Sequence, residues 1–142
     1  MIYLLDTDHL SILQRRGGAD HAVLIMNMSG HADTDIGVPV VSFHEQSLGC
    51  KALINAARTP ADVLLGYDLL ARIIEDFRRF PIVPYDAAAA AVFDQLKAAK
   101  IRVGTMDLRI AAIALARDLT LVTRNASDFG RVPGLRIEDW TR

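Results

Sequence analysis

Short apolar runs at residues 2–5, 36–41, 81–84 and 119–123 alternate with longer stretches whose apolar residues recur at helical spacing. No other feature constrains the chain as strongly. Strands spaced by helices close into a mostly parallel sheet, each right-handed crossover carrying its helix across one face. The expected fold class is α/β, a three-layer α/β/α domain around a four- to five-stranded, mostly parallel sheet, with residues 135–137 as the short fifth strand. Helices are expected from the first run to about Arg16, closed by Gly17 and Gly18, and over residues 19–28. Ser42 is expected to open the next helix, Asp86 to cap an alanine-rich one, and Thr105 to cap the helix after that. Pro60 suits a first helical turn, and Val63, Tyr67, Leu70, Ile74 and Phe77 mark one face, so the helices after Ser42 and Pro60 form a long hairpin. Pro39 is the weak point of the second strand, since it brings no N–H to the ladder.

Composition narrows the class of protein. The chain has 142 residues, 51% apolar and 23% charged, with a mean hydropathy of +0.22, which excludes a disordered tail, a collagen-like fibre and a low-complexity linker. One domain over residues 1–142 is expected. At this length roughly 70% of the unfolded chain's surface is buried, enough for a core without disulfide or structural zinc. Cys50 is the sole cysteine, which excludes an intrachain disulfide and fits a reducing, cytoplasmic compartment. No apolar run approaches the ~18 residues of a membrane span. The start meets Asp6 too soon for a secretory leader. Sixteen basic against seventeen acidic residues leave a net charge of −1, which argues against holding nucleic acid by bulk positive charge.

In parallel sheets, ligands sit beyond the carboxyl ends of the strands, where strand order reverses. Asp6 ends the first strand. Glu45, one of three glutamates, lies one turn into the helix after the second, Asp107 is in the first turn of a late helix, and Asp128 follows the fourth strand. Carboxylates within ~4–6 Å of one another raise each other's pKa or share a cation, and a hard divalent ion with oxygen ligands is the usual solution. Mg²⁺ or Mn²⁺ is the expected cofactor. Each acid also has an ordinary structural explanation. Ser42 and Glu45 have capping-box spacing, Asp107 complements a helix dipole, Asn125 to Asp128 reads as an Asx turn, and Asp6 or Asp8 suits the cap of the first helix. Capping does not, however, require an acid at the end of a hydrophobic strand facing the others. His9, His21, His31 and His44 show no metal-ligand spacing; His44, beside Glu45, is kept as a proton donor or substrate contact, and the rest belong to core or surface.

Four segments carry a family resemblance: residues 3–11 (YLLDTDHLS), 41–49 (VSFHEQSLG), 106–114 (MDLRIAAIA) and 121–129 (LVTRNASDF). In order and spacing they resemble the motif blocks of PIN-domain proteins, and more narrowly the VapC toxins of prokaryotic toxin–antitoxin pairs. Residues 132–140 are similar to the tail of that subfamily. The resemblance implies a Mg²⁺-dependent endoribonuclease with a flavodoxin-like sheet, acting on structured RNA such as tRNA or rRNA. Asp6 matches the first motif acid, Glu45 the second and Asp107 the third. Many relatives have an acid where this chain has Asn125, so the fourth position falls to Asn125 or to Asp128, and one or two metal ions remain open. Thr7, Ser42 and Thr123 match supporting hydroxyls. A homodimer, and a VapB-like antitoxin covering the acidic site, are the implied partners; the apolar hairpin from Phe43 to Phe80 is the surface expected to meet a partner. Arg15 with Arg16, Arg78 with Arg79, and Lys97, Lys100 and Arg102 are basic groups that suit RNA phosphates or a solvated helix face.

Two other classes compete. The Asp6-Thr7-Asp8 triplet suits a haloacid-dehalogenase-type phosphatase, whose first Asp becomes an aspartyl phosphate. That pattern needs a hydroxyl where Leu10 stands and a late Lys before paired acids, which neither Lys97 nor Lys100 provides. A non-catalytic PIN-like or receiver-like binding module is the other. A receiver needs a Lys after its late strand, where this chain has Arg124, and the presence of Asp6, Glu45 and Asp107 together counts against an inactive relative.

Overall fold

The computed structural model describes residues 1–142. Five strands, β1 (Tyr3–Leu5), β2 (Ile36–Pro39), β3 (Ile82–Val83), β4 (Thr120–Val122) and β5 (Ile137–Glu138), form one sheet in the order β3-β2-β1-β4-β5. Every neighbouring pair is parallel, with Tyr3 opposite both Ile36 and Thr120, Val38 opposite Ile82, and Leu121 opposite Ile137. The expected α/β/α layering is present and the sheet is parallel throughout. Its strand order sets the switch point between β1 and β4, rather than between the first and third strands as in flavodoxin.

The two faces explain the apolar runs. Leu4 and Leu121 enter a core with Leu96 of α5 (Ala87–Ala98) and Leu108, Ile110 and Ile113 of α6 (Thr105–Ala116). Their neighbours Leu5 and Val122 point the other way. They pack with Leu10 of α1 (Thr7–Arg15), Leu24 of α2 (Ala19–Met28), Cys50 of α3 (Val40–Ala56) and Phe77 of α4 (Pro60–Phe77). A central strand with helices on both sides has no solvent face to mark with polar residues, so its sequence reads as a continuous apolar run.

Several expected boundaries move. The second strand stops at Pro39, whose extended backbone (φ −71°, ψ 139°) caps α3, so Val40 and Val41 are helical and Ser42 is the third residue of that helix, not its cap. Placed at the strand's last residue, Pro39 costs the inner ladder nothing beyond its end. Thr105 is likewise the first helical residue of α6, with Gly104 as its cap. The chain leaves α1 through Arg16 in the left-handed region (φ 55°), and Gly17 and Gly18 follow. Asp86 does cap α5, accepting from the Ala89 N–H at 3.0 Å. Thr59 caps α4 with Pro60 in the first turn.

The α3–α4 hairpin forms as expected, but its inward face differs. Gly66, Ile73 and Phe77 are buried, whereas Val63, Tyr67 and Ile74 of the expected stripe are exposed. Gly66 is where the helices touch: a Cβ there would stand 2.5 Å from Ile54 Cγ1. No helix is long and apolar enough to cross a membrane.

Candidate functional site

Asp6 follows directly on β1. Its N–H donates to the Val122 carbonyl at 3.0 Å, fixing it at the seam between β1 and β4. The side chain, 4% exposed, accepts from the Thr7 N–H at 2.7 Å, capping α1, and from the Thr123 hydroxyl at 2.8 Å. Thr123 itself follows β4. Asp6 is thus the cap of α1, one of the structural roles expected of it.

Glu45 comes to this seam from α3. The Thr7 hydroxyl lies 2.8 Å from Ser42 Oγ and 3.3 Å from Glu45 Oε1, so the buried Ser42 joins the start of α1 to the start of α3. No side chain caps α3, which removes the capping box as an explanation of Ser42 and Glu45. Asp107 stands in the first turn of α6. At the far end Asn125 caps α7 (Ala126–Phe129) and donates from Nδ2 to Asp128 Oδ2 at 3.0 Å, and Asp128 also lies 3.8 Å from Arg131. Asp128 is therefore already engaged at the rim.

The carboxylates act on one another. Burial pushes the Asp6 carboxyl up to about 7, helped by the charges of Asp8 and Asp107 and opposed by its hydrogen bonds to Thr123 and Thr7. Glu45 is raised by burial and then by Asp107, and Asp107 by burial and then by Asp128 and Asp8. No Lys or Arg nitrogen lies within 4.0 Å of Asp6, Glu45 or Asp107, although seven of the other fourteen acids, Asp20, Glu75, Asp76, Asp86, Asp118, Asp128 and Asp139, have an Arg partner. Three hard oxygen donors in one negative field, unpaired with any fixed cation, match the donor set of Mg²⁺ or Mn²⁺. The approach is looser than expected from the sequence, because no three His, Cys, Asp or Glu side chains are drawn together closely enough to hold one ion.

Two residues here escaped the sequence reading as site members. Asp8 accepts from the His9 ring at 2.7 Å and the Arg124 N–H at 2.9 Å and lies 3.2 Å from the Thr123 hydroxyl, and His9 is fully buried behind it. The available signal was the second Asp of the Asp6-Thr7-Asp8 triplet, one turn-start away from the first.

A parallel α/β/α domain with carboxylates at its switch point defines the class, and comparison supplies the family. A sequence model described as the PIN domain matches residues 3–135, and the chain belongs to the PIN domain family. A Shigella flexneri protein named tRNA(fMet)-specific endonuclease VapC is 45% identical over 74 residues, which are 49% of this chain and 56% of that protein. A Haemophilus influenzae protein named Ribonuclease VapC2 is 40% identical over 73 residues, 48% of this chain and 55% of the relative. The chain thus spans about half the length of the curated relatives it matches. Among solved structures, the crystal structure of DNA-bound VapBC from Salmonella typhimurium aligns with a TM-score of 0.76 at 26% identity, covering 99% of this chain and 98% of that one. VapBC-1 from nontypeable Haemophilus influenzae aligns equally well at 20% identity over the whole of both chains, a likeness of fold.

Proposed function

We propose that this protein is a VapC-like endoribonuclease toxin, dependent on Mg²⁺ or Mn²⁺, that hydrolyses phosphodiester bonds in RNA, with tRNA as the first substrate to test. One observation carries the reading: Asp6, Glu45 and Asp107 share a negative field at the switch point with no Lys or Arg nitrogen within 4.0 Å of any of them. Asp6, Glu45 and Asp107 would hold the ion, with Asp128 and Asn125 at its rim. A bound divalent ion supplies charge relief to the phosphate oxygens and a more acidic attacking water. Asp6 is held in one orientation by the Thr123 hydroxyl on one oxygen and the Thr7 N–H on the other. Glu45 keeps Oε2 free of hydrogen bonds, open to the ion or to a water beside it.

A VapB-like antitoxin and a second copy of the chain are the proposed partners, and the cytoplasm the proposed compartment. The outer face of the hairpin supports a protein partner: Leu53, Leu64, Leu65 and Tyr67 are each more than half exposed. The deciding experiment incubates purified protein with total tRNA in Mg²⁺, Mn²⁺ or EDTA and maps cleavage ends. Cleavage is expected with either ion and not in EDTA, and not by Asp6→Ala in any condition; undiminished cleavage by Asp6→Ala overturns the reading.

A further inference from the structure

His9 is a fully buried, polar side chain that the proposed chemistry does not use. Its ring lies between the site and the end of the chain. On one side, the Trp140 N–H donates to Nε2 at 3.2 Å, which makes that nitrogen an acceptor and puts the ring hydrogen on Nδ1. On the other, Nδ1 lies 2.7 Å from Asp8 Oδ1. Asp139 Oδ1, 3.6 Å from Nε2, is already taken by the N–H and hydroxyl of Thr141. Trp140 is fixed in turn: Asn27 donates to its carbonyl at 2.9 Å, and its indole stacks on His31 and meets Tyr3 edge-on.

The hydroxyl of Thr123 has one hydrogen and two carboxylates to choose from, Asp6 at 2.8 Å and Asp8 at 3.2 Å. Asp8 needs it less, because the His9 ring and the Arg124 N–H already supply one donor to each of its oxygens. We propose that His9 is a positioning residue for the carboxylate site: by satisfying Asp8 it leaves the Thr123 hydroxyl to hold Asp6, and the Trp140 segment sets the ring that does so. Groups that orient a metal-binding carboxylate or its hydrogen-bond partner typically change metal affinity or activity ~10–100-fold when removed. The inference rests on the metal-dependent reading above.

Two substitutions separate holding the chain's end from holding Asp8. His9→Gln can still accept from Trp140 with its longer amide but has no donor at the Nδ1 position; His9→Asn keeps an N–H there and loses the contact with Trp140. Calorimetric titration with Mn²⁺ is expected to show ~10-fold or weaker binding for His9→Gln and binding within ~3-fold of wild type for His9→Asn, even if His9→Asn melts lower. In crystal structures, the Thr123–Asp6 hydrogen bond should survive in His9→Asn and be lost to Asp8 in His9→Gln. Equal Mn²⁺ affinity in His9→Gln and wild type, or losses that follow melting temperature instead, overturns the proposal. A wild type that binds no Mn²⁺ sinks the metal-dependent reading, and the Thr123–Asp6 geometry in the two variants then decides the role of His9 by itself.

Discussion

Thr123 donates its hydroxyl hydrogen to Asp6 at 2.8 Å, tying the ends of β1 and β4 together across 117 residues of sequence. Its oxygen also accepts from the Asn125 N–H at 3.0 Å. Thr123→Val keeps the shape and leaves both groups unpaired in a buried place, so a loss of about 1–3 kcal/mol is expected in urea unfolding. RNA cleavage should fall ~10–100-fold, and Thr123→Ser should restore most of it.

Asp107 accepts no side-chain hydrogen bond that shapes α6, whose cap is the backbone of Gly104. Asp107→Asn removes a charge from the shared field and leaves the helix start intact. Cleavage should drop at least ~100-fold, while the melting temperature in EDTA at pH 8 stays level or rises. A collapse of the fold would assign Asp107 to the helix instead.

Stability in the absence of divalent ions should fall as pH rises from about 4 to 7. Asp6 titrates at about 7 in the folded chain against about 3.9 when unfolded. The folded form therefore binds its proton more tightly, and stability present below pH 4 is lost on the way up through the folded pKa. Glu45 and Asp107, both raised by burial and then by neighbouring carboxylates, act in the same direction. Asp8 and Asp139 act oppositely, below about pH 4: burial pushes them up, but their hydrogen bonds outweigh it and hold them low. Scanning calorimetry in EDTA should place the highest melting temperature near pH 4, and Mn²⁺ should raise it at pH 8 far more than at pH 4. A metal effect independent of pH would contradict this.

Gly66 permits the closest approach of α3 and α4. In Gly66→Ala the added methyl meets Ile54 Cγ1, near the root of a branched side chain that has no easy way to yield. Overpacking should cost about 1–3 kcal/mol, partly offset by the helix preference of alanine, and Ile54→Ala, which removes Cγ1, should relieve the clash in the double variant. Metal affinity should not change.

The sequence carries the sheet because its central strands are covered on both faces: Leu4 and Leu5, or Leu121 and Val122, are both apolar although they point to opposite layers. Helix starts were less legible. Ser42 and Thr105 have cap chemistry, but the chain turns helical before them at Pro39 and Gly104, where backbone conformation and not a side-chain bond makes the start. The inward face of α4 was misjudged for a related reason, since period alone does not reveal that the buried contact centres on a glycine. That Asp6, Glu45 and Asp107 share one sheet edge was legible because Asp6 follows β1, Glu45 lies early in the helix after β2 and Asp107 lies in the first turn of α6. Asp8 and His9 were not, because what gives them a role, the Trp140 N–H, is 131 residues away.

Crystals soaked in Mn²⁺ and measured at the manganese absorption edge test the shared-ion claim most directly. An anomalous peak about 2.1 Å from carboxylate oxygens of Asp6 and Asp107, with Glu45 in the same coordination sphere or one water away, is the expected result. No peak at the β1–β4 seam, or manganese bound only at other acids, would contradict it.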